Sequence, residues 1–159
     1  MKRASIANLK FEFDAEDPEG FRAGHFSLRK LFEAKDTGMG VYELPAGQSN
    51  CPYHYEIGEE EWLLVLEGHP TVRHPAGSDQ LDPDDVVFFP RGPEGAHRIE
   101  NRTDVTVRFL MFSNNVIPTA TIYPDSDKVG VWTGDDPEAD QLFRRGSAVD
   151  YYDGETPEA

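Results

Sequence analysis

Residues 45–68 hold the side chains best suited to chemistry, because one histidine and several carboxylates stand there between a turn and an apolar run. His54 and Glu56 are two residues apart, so in a β-strand their side chains project from the same face. Glu61 precedes the run WLLVL, which together with the turn at Gly68 predicts a second strand. Residues 57–60 are short enough for a hairpin connection, which would bring Glu61 back beside His54 and Glu56. We therefore expect three nitrogen or oxygen donors to converge on one point, an arrangement typical of a cation site.

The same stretch resembles the first motif of the cupin superfamily, which has a glycine, a His-x-His pair, a glutamate and a closing glycine. Gly47, His54, Glu61 and Gly68 match these positions, and six residues separate the last two, as in the family. Glu56 stands where the family usually has its second histidine. The identity and reactivity of a bound metal therefore depend on what Glu56 does.

This chain also resembles the second motif of the cupin superfamily, in the run DDVVFFPRGPEGAHRIEN at residues 84–101. Pro90, Gly92, His97 and Asn101 match it, whereas Asp84 replaces its leading glycine and two extra residues lie before His97. The two motifs cover about residues 45–112. More narrowly, the runs HYEIGEEEWLLVLEG, FPRGPEGAH and YPDSDKVGV resemble a group of small bacterial proteins with a single cupin domain.

This resemblance implies an all-β fold, the double-stranded β-helix or jelly roll, in which two antiparallel sheets enclose a pocket. It also implies a mononuclear metal site formed by His54, Glu61 and His97, with Glu56 in the slot of the missing histidine. Imidazoles and carboxylates suit divalent Mn, Fe, Ni or Zn. The competing interpretation is a buried, hydrogen-bonded polar cluster without an ion. Because the edge strands of such a sandwich must be covered, we also expect a homodimer.

Three functions agree with these residues. The first is a metal-dependent enzyme acting on a small oxygenated or carboxylated molecule, in which Glu56 is either a ligand or a general base. The second is a module that binds a small molecule without turning it over. The third is a metal-independent acid–base enzyme of the isomerase or epimerase kind. The fold alone does not choose among them, and the sequence does not identify the substrate.

Composition limits the partners. A chain of 159 residues fits one domain, which the resemblance implies is a single cupin domain. Its 30 acidic and 15 basic residues give a net charge of −15, which predicts that it binds neither nucleic acid nor membrane surfaces. Its core motifs span about residues 39–113. A single cysteine excludes an intrachain disulfide, and the lack of a long apolar run or signal sequence predicts a cytoplasmic protein.

The flanking segments are predicted to pack on the barrel. Residues 1–35 suggest two strands, with a helix possible at residues 28–34. Residues 124–159 form an acidic extension that is rich in aromatic side chains, among them Tyr151 and Tyr152, and we expect most of it to be ordered against the barrel or a second subunit.

The remaining candidates are interpreted as structural. His25, His69 and His74 lie outside the motifs and are predicted not to be ligands, since unpaired histidines usually sit at the surface. Cys51 is interpreted as a buried thiol, because no adjacent cation would lower its pKa. Strand alternation places Trp62 on the face opposite Glu61. The clearest alternation is in the run TDVTVRFLMFS, which predicts a core face containing Val105, Val107, Phe109 and Met111.

Overall fold

The computed structural model describes residues 1–134 and 137–156. This part of the chain forms one short α-helix, α1, and twelve β-strands. Their bounds are β1 Gly24–Ser27, α1 Leu28–Phe32, β2 Gly38–Leu44, β3 Tyr55–Glu56, β4 Glu61–Glu67, β5 Thr71–His74, β6 Gly77–Gln80, β7 Val86–Phe89, β8 Arg98–Glu100, β9 Val107–Ser113, β10 Thr119–Tyr123, β11 Lys128–Trp132 and β12 Gln141–Arg144. Within the described residues, no helix is long and apolar enough to cross a membrane.

The largest sheet has five antiparallel strands in the order β1-β2-β9-β4-β7. Its inner face is set by the period-2 pattern of β9, where Val107, Phe109 and Met111 are buried, as the sequence predicts. Leu63 on β4 pairs with Met111 and is fully buried. Val105 precedes β9 and is 56% exposed, so its predicted place in the core is wrong.

The second layer is built from two smaller sheets, β6-β5-β8 and β12-β11-β10-β3. They meet where His54 and His97 form an antiparallel bridge with two backbone hydrogen bonds, 3.1 and 2.8 Å long. This pairing locks the two histidines of the cupin motifs together. Nearby, the fully enclosed Asn101 side chain donates to the carbonyls of Leu44 and Val105, tying the second motif to the large sheet.

The expected hairpin between His54/Glu56 and Glu61 does not form. β3 pairs with β10, whereas β4 pairs with β7 and β9, so residues 57–60 cross from one layer to the other. Glu61 still comes close to His54, because the two residues lie on facing layers of the barrel.

The amino-terminal segment contains one strand and α1 rather than two strands. Instead of the first predicted strand there is a single bridge between Glu12 and His25. Ser27 caps α1 by accepting a hydrogen bond from the Lys30 amide, and Glu33 ends the helix in a left-handed conformation. The segment packs on the large sheet, where Arg108 donates to the Ile6 carbonyl.

The carboxyl-terminal extension packs only in part. β11 and β12 extend the second layer by pairing with each other, and the prediction that this region joins the barrel is correct there. Tyr151 and Tyr152 are 88% and 78% exposed and contact each other edge to face, so their predicted packing on the barrel is wrong. Residues 135–136 and 157–159 of the predicted acidic extension lie outside the described residues.

Candidate metal centre

Three side chains converge inside the barrel. Ligand atoms of His54, Glu61 and His97 all lie within 4.8 Å of one another. The Glu61 Oε2 atom is 3.7 Å from His97 Nε2 and 4.0 Å from His54 Nε2. These separations are too long for hydrogen bonds, but two ligands bound to one ion at about 2.1 Å can lie up to roughly 4.2 Å apart. The set therefore has the spacing of a cluster that could hold a metal ion.

Backbone carbonyls orient both histidines for this role. His54 Nδ1 lies 2.9 Å from the Pro52 carbonyl, and His97 Nδ1 lies 2.9 Å from the Gly95 carbonyl. A neutral imidazole that donates from Nδ1 presents an unprotonated Nε2, which is the form that binds metals. Both Nε2 atoms are the ones that face Glu61.

The His97 Nε2 atom is the clearest unsatisfied group of the site. His97 is 1% exposed, and its Nε2 has no hydrogen-bond partner among the described residues. The ring stacks on Phe89 with the centroids 3.7 Å apart, so it cannot swing out to reach solvent without losing that contact. Burial lowers the pKa of His97 to about 3, aided by His54 and opposed by the Gly95 carbonyl. A buried, neutral imidazole with a free lone pair fits a metal ion.

Glu56 lies beside this set but is not part of it. One of its oxygens is 3.8 Å from His54 Nε2, and both oxygens accept from the Thr121 hydroxyl at 2.8 and 2.9 Å. Thr121 in turn accepts a hydrogen bond of 2.6 Å from the Trp132 indole. This relay from β10 and β11 was not predicted from the sequence, although the run YPDSDKVGV marked the region as ordered.

Burial affects the two carboxyl groups strongly. It raises the pKa of Glu61 to about 8, with Glu56 and Glu59 adding to the effect. It raises the pKa of Glu56 to about 7, opposed by the hydrogen bond from Thr121 and aided by Glu59. A bound cation would reverse both shifts by stabilising the charged forms.

The other candidates fall outside the cluster, as predicted. His69 and His74 pair with Asp82 and Asp79 at 3.0 and 3.1 Å. Burial is the main cause that raises the pKa of the Cys51 thiol, which keeps it protonated. His25 stacks on Tyr42 instead of joining the ligand set.

Trp62 points away from the interior, as its strand position predicts. It is 43% exposed and contacts Phe88 on the outer face of the large sheet.

A cavity of about 220 Å³ opens next to Glu61. The side chains that line it come mainly from the inner face of β1, β2, β4 and β9, and Arg29 of α1 also contributes. The first cupin motif contributes only Glu61 to this cavity, because the rest of the lining comes from strands far apart in the chain.

Residues 40–113 match the family described as Cupin domain. A curated relative, the tetracenomycin polyketide synthase protein TcmJ of Streptomyces glaucescens, is 31% identical over 97 residues. That alignment covers 58% of this chain and 63% of the relative, less than two thirds of its length.

Two solved structures share the fold over nearly the whole chain, and a third shares it over 71% of the chain. A putative sugar phosphate isomerase from Acidithiobacillus ferrooxidans is 22% identical with a TM-score of 0.80, covering 91% of both chains. A sugar phosphate isomerase of the cupin superfamily from Silicibacter pomeroyi is 19% identical with a TM-score of 0.79, covering 96% of this chain and 98% of its own. The polyketide cyclase RemF from Streptomyces resistomycificus has a TM-score of 0.58 at 23% identity, covering 71% and 78%. At these identities the similarity establishes the fold alone.

Proposed function

Because residues 40–113 match the Cupin domain family, we propose that this chain binds one divalent first-row metal ion in its barrel and acts there on a small oxygen-bearing molecule. The observation that carries the proposal is the buried His97 Nε2, which lacks a hydrogen-bond partner among the described residues and faces His54 and Glu61. Leaving such a group unsatisfied is costly, and an ion between the three side chains would remove that cost.

The ligands in this proposal are His54, Glu61 and His97. When bound, such an ion would act as a Lewis acid on a substrate carbonyl or hydroxyl oxygen. Mn, Fe, Ni and Zn all remain compatible with two imidazoles and one carboxylate.

We assign Glu56 the role of a general base beside the three ligands. Its carboxylate is held in one orientation by Thr121 and lies outside the mutually close set, so it is free to accept or return a proton of the bound molecule. This assignment chooses the general-base alternative over the four-ligand set expected from the sequence. The small-molecule ligand and the homodimer stay predictions.

Metal analysis of matched histidine variants tests the proposal. Wild-type protein incubated in turn with Mn²⁺, Fe²⁺, Ni²⁺ and Zn²⁺, then desalted, should retain one equivalent of at least one ion by elemental analysis. His97→Ala should retain less than a tenth of that amount. His69→Ala is the control, because His69 is exposed and paired with Asp82, and it should keep the full load.

Two results would overturn the proposal. One is a wild-type protein that retains none of the four ions. The other is a folded His97→Ala variant that retains as much metal as His69→Ala. Turnover by a metal-free wild-type protein would support the metal-independent acid–base alternative instead.

A further inference from the structure

Two glycines of β2, Gly38 and Gly40, leave room for the cavity beside Glu61. A Cβ atom at Gly38 would lie 2.5 Å from Ser113 Oγ, and one at Gly40 would lie 2.5 Å from His25 Nε2. Both distances are far below ordinary contact, so any larger residue would push the facing side chain from its place. The two glycines thus leave space for His25 and Ser113 to line the cavity with polar atoms.

The size of the cavity favours a compact ligand. Its volume of about 220 Å³ corresponds to roughly seven water molecules at about 30 Å³ each. A molecule with a few carbon atoms fits this space.

Arg29 places a positive charge on the wall of the cavity. It lines the cavity, is half-buried, and makes no side-chain hydrogen bond or ion pair within the part of the chain that is described. Its charge acts at longer range on Glu59, whose pKa it helps to lower against the larger effect of burial. Among the described lining residues it is the one with a permanent positive charge.

This arginine is informative because the chain as a whole repels anions. The net charge is −15, and Glu56, Glu59 and Glu61 all lie near the site. A guanidinium that has no side-chain partner can bind a carboxylate or phosphate through two parallel hydrogen bonds. Lysine cannot form this paired geometry, because its ammonium group lacks the planar fork of arginine.

We infer that this cavity is the ligand site of the barrel, and that it takes a compact hydroxylated molecule whose carboxylate or phosphate group binds Arg29 while its oxygen-bearing end faces Glu61. This inference rests on the proposed function for the chemistry at Glu61, but the anion contact with Arg29 does not depend on a metal. Ser27 and Asn115 line the same cavity and supply further polar groups for the hydroxyls.

Calorimetric titration of the protein before and after incubation with metal tests the inference with three matched probes. These are glycerol 3-phosphate, glycerate and uncharged glycerol. We expect at least one of the two anions to bind at least tenfold more tightly than glycerol. Binding of the phosphate ester, the carboxylate or both then tells which oxyanion the site prefers.

Two neighbouring variants isolate the role of Arg29. Arg29→Gln should weaken binding of the preferred anion at least tenfold, while its metal content and melting temperature stay at the wild-type values. Lys30→Gln removes the same charge from the adjacent, exposed position and should bind within twofold of wild type. Arg29→Lys keeps the charge without the planar fork and should fall between the two.

The inference fails if neither anion binds more tightly than glycerol, or if Arg29→Gln binds the anion as well as Lys30→Gln does. Its failure is distinct from that of the proposed function. Normal metal content without anion binding removes only the ligand assignment, whereas anion binding that depends on Arg29 in a protein that retains no metal removes only the metal assignment.

Discussion

Replacing Thr121 should show most clearly how the Glu56 carboxylate is held in its orientation. Thr121 is 2% exposed, and its hydroxyl donates to the Glu56 carboxylate while accepting from the Trp132 indole. Thr121→Val keeps the shape of the side chain and removes both interactions. The carboxylate then loses its oriented donor, and the indole N–H loses its acceptor.

The expected loss of stability is about 3 kcal/mol. A hydrogen bond to a charged group contributes about 1.5–3 kcal/mol, and a buried donor left unpaired costs about 1–3 kcal/mol. We take values near the lower end of each range, because Trp132 is only partly buried. For a chain of this length, about 3 kcal/mol corresponds to a fall in melting temperature of about 6–12 °C.

Metal affinity should stay close to the wild-type value, because Thr121 contacts Glu56, which lies outside the proposed ligand set of His54, Glu61 and His97. The affinity is measured by competition with a chromophoric chelator, and the stability by calorimetric melting of the metal-free protein.

Thr119→Val is the matched control. Thr119 lies on the same strand, two residues before Thr121, and its buried hydroxyl has no hydrogen-bond partner among the described residues. The same substitution should therefore leave the melting temperature unchanged or raise it. If Thr119→Val and Thr121→Val lower the melting temperature by the same amount, the relay through Thr121 does not support Glu56 and the reasoning is wrong.

Three further predictions follow from the structure. Glu56→Gln should keep its full metal load and lose turnover once a substrate is found, whereas a fall in metal content by elemental analysis would make Glu56 a ligand. Gly95→Ala should lower the melting temperature and reduce the metal content at least tenfold. The new Cβ would lie 1.7 Å from the Pro90 carbonyl oxygen and displace the loop that orients His97. Truncation after residue 149 should change the melting temperature by less than about 2 °C, since Tyr151 is exposed; a larger fall would show that these aromatic residues stabilise the chain.

The sequence predicted the cluster better than the strand pairing around it. Side-chain parity placed His54 and Glu56 on one face and Trp62 away from Glu61, because alternation depends only on the local backbone. Pairing is not local. β3 has two residues and binds β10, which lies more than sixty positions further along the chain, so a short loop before β4 suggested the wrong partner. The cupin resemblance supplied His97, which no local pattern could place beside His54.

The cavity could not be predicted from the sequence, for a physical reason. In the sequence, Gly38 and Gly40 resemble ordinary glycines at the start of a strand. Their importance shows only in the fold, where β1 and β9 bring His25 and Ser113 next to them. Arg29 looks like a surface residue until α1 is seen to begin directly after β1. Such a site arises only from residues that tertiary structure brings together.

The charge of the site explains why Arg29 matters to the proposed function. Glu56 replaces a neutral histidine of the family pattern, so Glu56 and Glu61 together carry −2 when both are ionised and offset the charge of a divalent ion. The cluster would then offer an anionic ligand little net attraction, in a chain whose overall charge is −15. Specific recognition of an anion must therefore come from a separate positive group on the cavity wall, and Arg29 is the described residue placed to provide it.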